Sequence, residues 1–173
     1  MRGGHKGNSS MTSTKTKTPW ATTQTEAVQT DGSVDVTLTS TNGGSTSTRV
    51  VSLAEDKTAG TFSITSTHHN RETVQTIAAD ADGGVDVTFT STSATGVVAS
   101  RTIDLDLNAA GELIMTSSFT GASGNTSTHA HTLDLATFLG TAGESLTVAE
   151  VAETYLEMQG VDITLTGIAD LLA

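Results

Sequence analysis

The stretch Val34–Thr41, VDVTLTST, decides the fold. Successive side chains of a strand point to opposite faces, so Val34, Val36 and Leu38 fall on one side and Asp35, Thr37 and Thr39 on the other. That is the pattern of a half-buried strand. It returns as VDVTFTST at Val85–Thr92 and, shortened, as VDITLTG at Val161–Gly167. The surroundings of the second copy repeat as well: Arg101, Ile103 and Leu105 answer Arg49, Val51 and Leu53, and Leu113 and Met115 answer Phe62 and Ile64. Matched positions are 51 or 52 residues apart across most of the unit, and 46 apart where Val74-Gln75-Thr76 is set against Val28-Gln29-Thr30. Length changes confined to turns are what the duplication of a folded unit requires.

Turn signals divide the strands. Asp31-Gly32, Asn42-Gly43-Gly44 and Asp80-Ala81-Asp82-Gly83-Gly84 suit the positive φ angles of tight hairpins. Two similar four-stranded units are therefore expected at about 20–70 and 71–119, behind a flexible arm at 1–18, with a further strand over Thr126–Leu135. Then the period changes. Val148, Val151, Ala152, Tyr155 and Leu156 lie at helical spacing, Thr147 and Glu150 form a capping-box pair, and Gly160 stands where a helix stops. The expected fold is all-β, mainly an antiparallel meander of about nine or ten strands closed as a sandwich or barrel, with one C-terminal helix. The third VDITLT copy is expected as the last strand.

Bulk composition narrows the function classes. Aromatic content of 3% and hydrophobic content of 35% leave a thin core built from Val, Ile and Leu on one face of each strand. The absence of cysteine excludes disulfides and thiolate chemistry. Arg2, Lys6, Lys15 and Lys17 all precede the first acid, Glu26, so the arm carries +4 and the remaining 4 basic and 19 acidic residues give the body −15. A basic arm on an acidic body invites contact between copies, and the field of the body repels nucleic acid. No window approaches the ~18 apolar residues of a membrane span, and the N-terminus lacks the apolar run of a secretory signal.

Candidate chemistry is sparse. The sequence has no nucleophile-elbow, zincin or phosphate-loop motif, so no enzyme, catalytic residue or cofactor is expected. His129 and His131 share a face of a strand and could chelate a transition metal if His68-His69 supplied a third ligand, although incidental surface histidines are the simpler reading. Asp80 and Asp82, with Gly83-Gly84, carry the acids and glycines of a calcium loop but lack its bidentate Glu, which favours a plain hairpin turn. Asp104 and Asp106 belong to a solvated strand face. The threonine rows Thr37, Thr39 and Thr41, and Thr88, Thr90 and Thr92, resemble in rhythm the ice-binding faces of β-solenoid antifreeze proteins, yet the interleaved Asp35 and Asp86 interrupt them. Threonine is also an ordinary solvent-side strand residue.

The reading these features favour is a non-enzymatic structural or adhesive β-protein, a self-associating subunit of an extracellular or virion assembly. Its interacting surface would be Thr37, Thr39, Thr88 and Thr90 together with Lys15 and Lys17 of the arm. The strand-like MTSTKTKT run of that arm could add to a neighbour's sheet edge. The tail VDITLTGIADLLA resembles the uncleaved C-terminal signals of type I secreted bacterial proteins, which implies the alternative of a small secreted ligand-binding or ice-binding module.

Overall fold

The computed structural model describes residues 20–96, 98–140 and 146–173. Nine antiparallel strands, β1 (Ala21–Val28), β2 (Val34–Asn42), β3 (Ser45–Asp56), β4 (Thr61–His68), β5 (Arg71–Ala79), β6 (Val85–Thr92), β7 (Val98–Leu107), β8 (Leu113–Thr120) and β9 (Thr126–Leu133), lie side by side in chain order in one sheet. Three short helices follow: α1 (Leu135–Leu139), α2 (Val148–Met158) and α3 (Thr166–Leu172). The two four-stranded units are thus β1–β4 and β5–β8, and β4 pairs directly with β5, so both belong to one sheet and one core.

Tight hairpins make this order possible. Gly43 and Gly44 form the two-residue loop between β2 and β3 with φ of 55° and 90°, and His69 and Asn70 form the loop joining the two units with φ of 48° and 58°. Positive φ at both central residues is the requirement of the turn whose twist matches that of the flanking strands.

The register assigns every strand residue to a face. On the inner face, Val34, Val36, Val51, Leu53, Ile64, Ile77, Val85, Val87, Ile103, Leu105 and Leu113 are buried. Helices rather than a second sheet cover this face: α2 lies across β4 and β5, the junction of the two units, and α3 lies across β1, β2 and β3. The apolar stripe of α2 contributes Val151, Ala152, Tyr155 and Leu156 to the core. Its capping box is present as expected, with Glu150 N–H donating to Thr147 Oγ1 at 3.2 Å and Thr147 N–H donating to Glu150 Oε2 at 3.2 Å. The helix is eleven residues long, about three turns.

Three expectations need correction. The VDITLT copy forms no strand: Asp162 accepts from both the amide and the hydroxyl of Thr164, at 3.0 and 2.7 Å, and this side-chain turn leads into α3. Leu165, Ile168, Leu171 and Leu172 lie at helical spacing and face the core, which the strand reading overlooked. The ninth strand ends at Leu133, not Leu135, because Asp134 accepts from Ala136 N–H and caps α1. Finally, the 46-residue alignment is out of register. Val28 pairs with Val34 and Ala79 with Val85. The two turns close alike, Gln29 N–H donating to Ser33 O and Asp80 N–H to Gly84 O, so Gln24 of the first unit corresponds to Gln75 of the second.

Candidate functional site

The correct register exposes a division of charge. Arg49, Arg71 and Arg101, with His68, His129 and His131, all fall on the inner face, at the end of the strands that α3 does not cover. Asp35, Asp86, Asp104 and Asp106 fall on the outer face. The inner-face acids lie elsewhere: Glu26 accepts from Gly167 N–H of α3 at 3.1 Å, and Glu55 pairs with Lys57 at 4.0 Å. That ion pair is the only one within 4.0 Å among the described residues. A cationic inner half therefore sits inside an acidic molecule.

The duplicated arginines are used differently. Arg49 donates through Nη2 to the backbone carbonyl of Gln159, the C-cap of α2, where the helix dipole favours a cation. Arg101 donates through Nε to Ser117 Oγ at 2.9 Å, and its terminal nitrogens have no hydrogen-bond acceptor among the described residues. Gln24 exchanges two hydrogen bonds with the backbone of Asp162, while its counterpart Gln75 accepts from Gln159 Nε2 at 2.6 Å. The first unit thus anchors the C-terminal segment at several points. The second leaves space.

That space is a cavity of about 600 Å³ between β4–β9 and the helices α1 and α2. Phe89, Ile103, Met115, Phe138, Tyr155 and Met158 belong to its apolar wall, and Ser66, Thr73, Gln75, Arg101 and Gln159 are its polar groups. Tyr155 packs edge-on against Phe89 and Phe138, with ring centroids 5.5 and 6.0 Å apart. Burial pushes the Tyr155 phenol up to about 12, with the Arg101 charge opposing it, so the ring stays neutral at ordinary pH. On the other side of Gln159 a smaller cavity of about 410 Å³ is lined by Thr22, Ser40, Ser47, Arg49 and His68. Ser47 Oγ and His68 Nε2 are 2.8 Å apart there. The second ring nitrogen has no partner among the described residues, so the group that orients the base in a catalytic triad is not among them. Burial, then the charges of His69 and Arg49, hold the His68 imidazole below its ordinary value.

The residues singled out from sequence are dispersed. His129 and His131 face inward on the last strand, opposite Ser117 and Met115, while His68 and His69 lie at the junction of the units. No third ligand joins the pair among the described residues. Asp80 gathers with Asp104 and Asp106, their carboxylate oxygens within 4.8 Å of one another, but Asp82 is not in that group. The Asp80–Gly84 segment closes as a hairpin turn, Gly83 N–H donating to Asp80 O at 3.2 Å. The raised Asp104 carboxyl reflects burial first and then the charges of Asp106, Asp86 and Asp80; Asp86 is raised by burial, Asp80 and Asp106.

Thr37, Thr39, Thr88 and Thr90 lie on the outer face. Thr88 belongs to a hydroxyl row that crosses the sheet as Ser63, Thr76, Thr88, Thr102, Ser118 and Thr128. Lys15 and Lys17 lie outside the described residues. Sequence reasoning missed the arginine-lined cavity, although its signal was present in the Arg49/Arg101 repeat: an arginine kept on the apolar side of a strand in both units.

Among the described residues no helix is long and apolar enough to cross a membrane. Comparison with protein-family models, curated proteins and solved structures found nothing that matches the chain.

Proposed function

We propose that the protein is a non-catalytic, self-associating structural or adhesive subunit of an extracellular or virion assembly, joined to its neighbours through sheet edges. The observation that carries this reading is β9. Its outer edge has no strand beside it among the described residues, and its eight residues, TSTHAHTL, contain no proline, lysine, aspartate or glutamate. Edge strands that stay monomeric normally carry such residues, because a bare row of amide and carbonyl groups is a template for another chain. At the opposite end of the sheet β1 likewise has no strand on its outer side among the described residues, and its one charged residue, Glu26, faces inward to α3. A sheet with complementary free edges at both ends favours head-to-tail association, which extends indefinitely unless a rotation closes it. The +4 arm and the −15 body supply the long-range attraction.

Light scattering coupled to size exclusion tests this. The unaltered chain is expected to exceed monomer mass in a salt-sensitive way, and removing residues 1–18 should weaken both the association and its salt response. Placing lysines on the edge, Thr128→Lys with Ala130→Lys, should return the protein to monomer with unchanged circular dichroism. A monomer at all concentrations for the unaltered chain would overturn the proposal.

A further inference from the structure

We propose that the cavity beneath α1 and α2 binds an amphiphilic monoanion, an aliphatic carboxylate, with its head group on Arg101 and its chain among Phe89, Ile103, Met115, Phe138 and Tyr155. This stands independently of the assembly reading, because it concerns the inner face and not the edges.

The duplication acts as an internal control. Arg49 and Arg101 hold matching places in the two units, one opposite Leu38 and the other opposite Phe89. Arg49 has a backbone acceptor at the end of α2. At Arg101 the helix offers no such acceptor, and only Nε is engaged, by Ser117. Arg101 is exposed, so its forked terminal nitrogens are open to solvent as well as to the largely apolar space of about 600 Å³ that it lines. A guanidinium is planar, always charged and shaped for two parallel hydrogen bonds to a carboxylate. A cavity of this volume, mostly apolar with a few convergent polar groups, has the character of a small-molecule site.

Charge complementarity selects the class of occupant. Cations and histidines populate this half of the inner face, and the inner-face acids of the described strands, Glu26 and Glu55, lie outside it, against Gly167 and Lys57. A single guanidinium suits a monoanion. Tyr155 stays neutral and so adds no repulsion. The aromatic wall and Met115 then account for an apolar tail, since only such a tail gains from displacing water there. A cationic amphiphile would meet Arg101 and be rejected.

Isothermal titration calorimetry with decanoate, 1-decanol and decylamine, each below its aggregation threshold, tests the assignment. Decanoate is expected to bind at one site per chain, about tenfold or more tighter than decanol, the difference a charge-assisted hydrogen bond supplies. Decylamine should bind most weakly. Arg101→Gln should remove the preference for decanoate and leave decanol affinity unchanged, whereas Arg49→Gln should leave the preference intact. Met115→Trp, which fills the cavity, should abolish binding of both, with circular dichroism confirming that it folds. Equal affinities for decanoate and decanol, insensitivity to Arg101→Gln, or no binding of any probe would overturn the proposal.

Discussion

At the scale of single residues, the two units differ where one is satisfied and the other is not. Asp35 faces Ser52 across β2 and β3, and the serine hydroxyl donates to its carboxylate. The corresponding pair in the second unit is Asp86 opposite Asp104, two carboxylates where the first unit has a carboxylate and a donor. Asp104 Oδ1 is closed off from solvent without a hydrogen-bond partner, and like charges directly opposite in a sheet repel. Both carboxyls are raised from their ordinary value, so the folded protein holds these protons more tightly than the unfolded chain does. Their contribution to stability is therefore present below the ordinary carboxylate value of 3.8 and is lost as pH rises past the raised ones. Asp31 and Asp162 act in the opposite sense: hydrogen bonds from Ser33 and Thr164 lower them, and their stabilisation is lost as pH falls. Replacing Asp104 with serine isolates the first effect by rebuilding the pair of the first unit. Asp104→Ser should stabilise the protein at neutral pH by about 1 kcal/mol, a rise of roughly 2–4 °C in Tm. The gain should shrink as the pH is lowered toward the carboxylate range in a series of thermal melts. The tightness of the packing here also explains Gly84: a Cβ at this position would stand 2.5 Å from the carbonyl oxygen of Leu105.

At the scale of elements, what the sequence made legible was what short-range rules govern. Strand periodicity placed Val34, Val36 and Leu38 inside, and the Thr147/Glu150 pair marked the start of α2, because alternation and capping are set by neighbours a few residues away. The VDITLT segment ahead of α3 was misread because it repeats a strand sequence while its surroundings do not repeat a strand's partner. A strand needs an edge to pair with, and this segment instead meets the inner side of β1. Glu26 of β1 accepts from Gly167 N–H at the first turn of α3, whose N-cap Leu165 supplies no side-chain hydrogen bond. This contact joins residues 141 apart in sequence, so no local pattern announces it. It predicts that Glu26→Ala loosens α3 without unfolding the sheet. The expected cost is about 1 kcal/mol, typical of a lost helix cap. Hydrogen exchange followed by mass spectrometry should show faster exchange in α3 and unaltered protection in β4–β6, and equal protection of α3 in both proteins would contradict the assignment.

At the scale of the whole molecule, the arginine-lined cavity and the shared core both arise from how the two units are joined, which is why neither was visible strand by strand. The duplicated sequence invites the view that each unit folds alone. The structure places the His69-Asn70 turn between them, continues the sheet through β4 and β5, and lays α2 across that junction. Each unit would expose one apolar sheet face if separated, and α2, whose apolar stripe reaches the core, packs on both. A four-stranded unit with an uncovered face lacks the burial that offsets its chain entropy. Unfolding should therefore be a single cooperative transition with calorimetric and van't Hoff enthalpies equal. Ile64 and Leu105, buried in the first and second units, report on the two halves. Ile64→Ala and Leu105→Ala should each cost about 2–5 kcal/mol and displace the same transition by similar amounts. Two resolved transitions, each moved by only one of the substitutions, would show instead that the halves are independent and that α2 contributes little to joining them.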